Sequence, residues 1–274
     1  MSGPRLGIAV SGADAAEMAR LAPLAEAHNL DAILVGAVRD GMPDSDDTYV
    51  VTAAAAAAGR TRYLRIAVAM DLRGSASPLR VAEDLGVLDV MSNGRLELVL
   101  RPGAEPAWTR DLEAILGAWT GWPLADSGTP AAHMPEARTP EGRTPAARKP
   151  VTPSPVQPEI PVWLMTATEP ATARPQSRGS SIVFVDWPGT PMIPDADALR
   201  EMRRARDDAG AATVVVDLAG TPPERRADAV RVLGTVVGPC LRCPDDEVGI
   251  LALDATDWLL RRTELHRPPL EDPE

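Results

Sequence analysis

The sequence predicts an α/β domain built on a parallel sheet, and three observations carry that prediction. Short apolar runs of strand-like alternation recur between longer segments of helical periodicity, joined by connections of a few residues. The runs at 6–10, 64–70 and 95–100 keep large apolar residues on one parity and small or charged ones on the other, as expected of strands covered by helices on one face. The chain has 274 residues, 45% of them hydrophobic, enough for one sizeable core. Such alternation suits a barrel or an open doubly wound sheet.

Taken in order, residues 6–10 form a short buried strand, 13–28 an amphipathic helix and 31–36 a second strand, which closes a β-α-β unit and so requires a parallel pair. Residues 36–47, rich in Gly, Pro and Asp, are a loop; 48–59 are a helix and 64–70 a third strand. The most informative stretch is 77–103, SPLRVAEDLGVLDVMSNGRLELVLRPG. Ser77 suits an N-cap through its hydroxyl and Pro78 the first helical position, where its missing N–H has no partner to lose. Val81, Leu85 and Leu88 mark the buried side of a helix over 78–91, and Ser92-Asn93-Gly94 ends it because Asn and Gly tolerate the left-handed conformation. RLELVL then alternates strictly as the fourth strand.

A helix at 105–119 precedes a break in the rhythm. Residues 122–161 contain ten prolines, and Pro130, Pro135, Pro140, Pro145 and Pro150 are evenly spaced. Proline at this density propagates neither helix nor sheet, so the stretch is expected to be a solvated excursion, with a lid or docking segment as its functional alternative. Strands five and six are expected at 161–166 and 181–186, joined by a connection whose Pro170 and Pro175 weaken any helix. A charged helix at 195–209, a β-branched seventh strand at 212–218, a helix at 224–236, an eighth strand at 248–253 and a closing helix at 258–265 follow. Residues 267–274 are expected to fray.

Composition excludes several functions. A net charge of -11 repels a phosphate backbone, so no nucleic-acid partner is expected. The first residues lack a cationic segment followed by a long apolar run, and the small-residue run 50–58 is too short to span a bilayer, so a cytoplasmic protein without a membrane partner is expected. With six Trp, two Tyr and one Phe, the core must be packed by Ala, Val and Leu. Cys240 and Cys243 form a C-x-x-C without a second pair, and His28, His133 and His266 are scattered, which favours free thiols over a zinc site; no metal is expected.

The stretch around 77–103 resembles the luciferase-like flavin-dependent oxidoreductases and monooxygenases. The resemblance is carried by Pro78, Glu83, Leu88-Asp89 and Ser92-Asn93-Gly94-Arg95, with Ala58-Gly59-Arg60-Thr61, Trp119-Thr120-Gly121 and Ile160-Pro161-Val162-Trp163 as further landmarks. It implies a (β/α)8 TIM-barrel-like fold, one domain over 1–274, with the Pro-rich loop 123–160 inserted between the fourth helix and fifth strand. It also implies FMN or F420 as cofactor, a small organic substrate, and a site at the C-terminal strand ends. Gly7, Ala9 and Ser11, Arg65, Ala67, Ala69 and Asp71, and Glu97, Val99 and Arg101 would then face the barrel axis.

Carried over by position, Ser11, Asp71, Arg101, Gly103, Thr166 and Thr168 are the candidate cofactor contacts, Arg101 and the two threonines being suited to a phosphate. Arg101 has the alternative of an ion pair with Asp71 or Glu97, and Glu97, Asp71 and Asp186 are acid-base candidates by position alone. The chain departs from the family pattern where Leu98-Val99-Leu100-Arg101-Pro102 replaces closely spaced glycines, and where Pro170 and Pro175 interrupt a phosphate-facing helix. These departures leave a second class open, a degenerate non-catalytic subunit with a structural or regulatory role. The resembled family dimerises through the helices matching 48–59 and 78–91, which implies a homodimer or a heterodimer with a paralogue; Ala53 to Ala58 lets another helix approach closely.

Overall fold

The computed structural model describes residues 5–10, 13–36, 47–71, 77–101, 107–120, 152–164, 174–175, 182–186, 196–208 and 211–243. Its strands are β1 (Arg5–Val10), β2 (Ala32–Val35), β3 (Arg65–Asp71), β4 (Leu96–Arg101), β5 (Val162–Leu164), β6 (Arg174–Pro175), β7 (Ile182–Asp186) and β8 (Thr213–Asp217). They form one sheet in the order β6-β5-β4-β3-β2-β1-β8-β7, parallel at every pair except β5 with β6. The chain is thus a mixed α/β fold, and its sheet is curled into a half-barrel. β1 and β5 are four strand steps apart, roughly 19 Å in a flat sheet. Nevertheless the Arg5 guanidinium carbon lies 5.9 Å from the centroid of the Trp163 ring, and Arg5 reaches Glu97 on β4 at 3.0 Å. Only a concave sheet brings these side chains together.

The parity read from the sequence sorts the two faces. Leu6, Ile8 and Val10, with Ile66, Val68, Leu98 and Leu100, join the core shared with the helices. Ala9, Leu34, Ala67, Ala69, Val99, Trp163, Ile182 and Val215 form a separate cluster on the inner face. Outside the sheet run α1 (Ala15–Ala27), α2 (Asp47–Ala58), α3 (Pro78–Ser92), α4 (Ala107–Thr120), α5 (Ala196–Asp208) and α6 (Pro223–Val232), the last continuing through a π turn (Leu233–Val237) into α7 (Gly238–Arg242). The single helix expected at 224–236 is therefore interrupted. Gly234 sits where an added Cβ would lie 2.1 Å from the His28 carbonyl oxygen, so only glycine lets this backbone touch the end of α1.

Two further expectations change. The Ser77 hydroxyl makes no capping bond, leaving Pro78 as the start signal of α3. The strand expected at 248–253 lies outside the described residues; β1 pairs with β2 on one edge and with β8 on the other. A strand has two edges, so 213–217, expected as the seventh strand, is the one that meets the first.

The landmarks of 77–103 act as locks. Asn93 and Gly94 take φ of 56° and 74°, which turns the chain so that Arg95 enters between α2 and α3. Its guanidinium donates to Thr61 Oγ1 and to the carbonyls of Ser92, Ala58, Thr61 and Leu64. Burial is the main influence on Arg95 and lowers its pKa, Glu26 opposing. Glu26 accepts from the N–H groups of Arg62, Tyr63 and Leu64 just before β3. Buried Asp89 accepts from the backbone N–H groups of Val156 and Gln157 and from the Gln157 amide, at 2.7 to 2.9 Å. Trp119 donates to the Gln157 carbonyl. The last nine residues of the Pro-rich stretch, 152–160, are therefore held against α3 and α4 rather than belonging to a free excursion.

Candidate functional site

A parallel curled sheet presents the carboxyl ends of its strands at one rim, where the following loops gather. Among the described residues, four charged positions of the inner parity end strands at that rim. Asp71 and Arg101 end β3 and β4 and are direct register partners. Asp186 and Asp217 end β7 and β8 and are likewise partners, with Asp217 also level with Ala9 of β1. Ser11, Gly103, Thr166 and Thr168 lie outside the described residues. The pairing of Asp71 with Arg101 brings together two of the six candidates, through backbone neighbours in the sheet.

Asp217 was not among the candidates. It is 3% exposed, and its Oδ1 accepts from the Ala219 N–H at 2.9 Å. Its signal was present in TVVVD: Val214 and Val216 belong to the outer core, so Thr213, Val215 and Asp217 share the inner parity. The β-branched run drew attention to the strand and away from the acid that ends it.

Glu97 belongs elsewhere. It lies near the start of β4, and its Oε1 accepts from Arg65 Nε at 2.6 Å and Arg5 Nη1 at 3.0 Å. Arg5 Nε also donates to Thr213 Oγ1. These residues begin their strands, so the network plugs the amino-terminal end of the half-barrel. The ion pair of Arg101 with Glu97 at the rim is thus corrected: Glu97 is four residues too early and already serves two guanidinium groups. Trp163 lies over this plug. It is level with Val99, which is level with Ala69, one inner layer below Asp71 and Arg101. Trp163 is 4% exposed, and its indole N–H is sealed from solvent with no hydrogen-bond partner among the described residues.

Beyond β5, Arg174 pairs antiparallel with Leu164. Residues 165–173, with Thr166 and Thr168 and the helix start expected to meet a phosphate, lie outside the described residues. Cys240 and Cys243 are free thiols; burial, with Cys243 nearby, pushes Cys240 up to about 11, which suits a core thiol and not a nucleophile. Among the described residues no group of three or more His, Cys, Asp or Glu is placed to hold a metal. No described helix is long and apolar enough to cross a membrane.

The inner face is lined by Ala9, Leu34, Ala67, Ala69, Val99, Trp163, Ile182 and Val215, all buried and apolar, with the Trp163 indole N–H left without a hydrogen-bond partner among the described residues.

This architecture is that of a known class, and the chain belongs to the luciferase-like monooxygenase family, whose profile matches residues 2–239. Among solved structures, a monooxygenase from Streptomyces bottropensis is similar at 19% identity over 93% of this chain and 88% of that one, with a TM-score of 0.45. The coenzyme F420-dependent tetrahydromethanopterin reductase of Methanopyrus kandleri is similar at 13% identity, 95% and 91% coverage and a TM-score of 0.42. The oxygenating constituent of 3,6-diketocamphane monooxygenase from Pseudomonas putida, a complex with FMN, is similar at 16% identity, 78% and 67% coverage and a TM-score of 0.43. No curated protein sequence matches the chain.

Proposed function

We propose that this protein is a flavin-dependent oxidoreductase or monooxygenase that binds FMN or F420 at the carboxyl rim of its sheet and acts on a small organic substrate. The observation that carries the reading is the family match over 2–239, with a curled parallel sheet whose inner wall is apolar in support. The bound group would supply the redox chemistry, while the chain binds it, orients it and excludes water. Arg101 is assigned to an anionic group of the cofactor, Asp71 beside it to orienting that guanidinium, and Ser11, Gly103, Thr166 and Thr168 to the remaining contacts on the loops of the same rim.

Titration of the purified protein with FMN and with F420, followed by absorbance and by equilibrium dialysis, tests the reading. Saturable binding of one of them supports it and chooses the cofactor. Failure of both to bind at high concentration refutes it and leaves a non-catalytic subunit.

We also infer self-association, as a homodimer or with a paralogue, through 48–59 and 78–91. In support, α3 exposes Leu79, Val87, Val90 and Met91, each more than 40% accessible, and α2 presents Ala55 and Ala56 half-buried beside them.

A further inference from the structure

We infer that the C-x-x-C at the end of α7 is a peroxide-responsive thiol pair: half-buried Cys243 is oxidised first, buried Cys240 then closes a disulfide with it, and α5 is loosened from α7. Neither thiol takes part in the flavin reading. The first observation is reach. The Cys243 N–H donates to the Pro239 carbonyl at 3.0 Å, so helical spacing runs up to Cys243 and the two cysteines stand one turn apart. Three residues along an α-helix separate Cα atoms by about 5 Å, within the range of about 4.4–6.8 Å that a disulfide spans. The Cys243 side chain already points back along that turn, for its Sγ donates to the Cys240 carbonyl at 3.1 Å. The chain leaves the helix at Cys243, which takes an extended conformation, so the turn that must tighten is a terminal one.

The second observation is the asymmetry of the two thiols. Cys240 is 1% exposed, and burial, with Cys243 nearby, pushes its thiol up to about 11, which withdraws it from attack on outside molecules. Cys243 is half-buried, so a small oxidant reaches it, and Arg203 Nη1 lies 3.9 Å from its Sγ. A cation so placed favours the thiolate. The carboxyl end of a helix works the other way, but here its carbonyls are engaged by cations: Arg203 donates to those of Cys240 and Cys243, and Arg206 to that of Leu241. Two guanidinium groups of α5 thus meet the negative pole beside the thiol.

The chemistry runs in two steps. The Cys243 thiolate attacks one oxygen of hydrogen peroxide; the O–O bond breaks, Cys243 becomes a sulfenic acid, and the departing hydroxide takes a proton to give water. Cys240 then attacks the Cys243 sulfur, the S–S bond forms, and the sulfenic hydroxyl leaves with the Cys240 proton as a second water. Each sulfur loses one electron and the peroxide gains two. A thiol too weakly acidic to attack outside molecules still serves this step, because its target is held one helical turn away. The carbonyls of Cys240, Leu241 and Cys243 are those that α5 holds, and Arg242 between the cysteines donates to Asp31 at the start of β1. Drawing the sulfurs together displaces those carbonyls from Arg203 and Arg206.

The experiment treats the reduced full chain with hydrogen peroxide at a dose near the protein concentration and reads free thiols, intact mass and tryptic peptides. Trypsin cuts after Arg242, between the two cysteines, so the disulfide shows as two peptides joined until a reductant is added. Wild type is expected to lose both thiols and two hydrogens in mass, and a portion quenched early with dimedone should carry the label on Cys243. Backbone amides of α5 should exchange with solvent faster in the oxidised protein than in the reduced one. Cys243→Ser, its fold established by circular dichroism, should keep its remaining thiol about ten-fold longer than wild type keeps its pair. Because that variant could fail to fold, the peptide map and dimedone label of the wild type decide on their own. Both thiols retained in wild type, a first label on Cys240, or oxidation that stops at Cys243 without joined peptides overturns the assignment. So does Cys243→Ser oxidised as fast as wild type, or α5 exchange unchanged by oxidation.

Discussion

Arg95 offers the sharpest test of how the fold is held. Its guanidinium is 9% exposed and makes five hydrogen bonds, to Ser92 O, Thr61 Oγ1, Leu64 O, Ala58 O and Thr61 O, at 2.5 to 3.0 Å. Two of those carbonyls, Ala58 and Ser92, end α2 and α3, where helices have acceptors without intrahelical donors. Arg95→Met keeps the stem and removes every donor. Each stranded buried acceptor costs about 1–3 kcal/mol, but the five share one partner and are not additive, so the total is expected at about 3–5 kcal/mol, the range for breaking a buried charged network. Arg95→Lys keeps the charge but supplies three donors from one nitrogen, not a planar fork, and should cost roughly 2 kcal/mol. Urea unfolding followed by circular dichroism reads both. A loss below about 1 kcal/mol for the methionine variant, or equal losses for the two, would show that the fork is not what joins the helix ends.

Three other outcomes are expected. Burial pushes Glu26 up, but the Tyr63, Leu64 and Arg62 N–H donors and the Arg95 charge outweigh it, so its pKa falls below 4.5; its contribution is complete above 4.5 and is lost as pH falls through the lower folded value. The stability gap between wild type and Glu26→Gln should therefore close on acidification below 4.5, and a gap that widens there would contradict the assignment. Because Cys240 is buried with its thiol pushed up to about 11, iodoacetamide at mildly alkaline pH should spare it until the protein unfolds, as peptide mapping would show. Val87→Glu on the exposed face of α3 should turn a dimeric mass into a monomeric one in light scattering without lowering thermal stability of the monomer; a wild type that is already monomeric at micromolar concentration removes the self-association reading.

Much of the fold was legible because periodicity and parity are local. The alternation in RLELVL, LGIAV and RIAVAM assigned each strand its two faces, and the two hydrophobic clusters follow that assignment residue by residue. What was not legible depended on long-range pairing. Nothing local in 213–217 says that it takes the place beside β1, and nothing in ATARP says that Arg174 and Pro175 turn back on β5. Glu97 and Arg101 looked alike as charged inner-parity residues, yet four residues of rise separate a plug from a rim. The β-branched run in TVVVD marks a strand without marking Asp217 as a site residue, although the parity shared with Thr213 and Val215 places it inward.

Thr61, Asp89 and Arg95, three of the family landmarks, act beside Glu26 and Asp31 in the same kind of contact, and this explains why recognition stops short of a substrate. Thr61 and Arg95 bind one another beside the entrance to β3, Glu26 caps 62–64, Asp89 fixes Val156 and Gln157 before β5, and Asp31 accepts from Leu6 N–H and Arg242 at the start of β1. Every one of these locks acts where a strand begins, and the Arg5–Glu97–Arg65 network fills the same end. Among the described residues these locks lie at the amino-terminal face, where side chains must fit one another and so leave a readable pattern. In a barrel of this kind the loops of the opposite rim carry the ligand contacts and vary with the ligand. A motif made of locks therefore identifies the scaffold, whereas Asp71, Arg101, Asp186 and Asp217, which belong to no such motif, are the positions where this chain's own chemistry is to be sought.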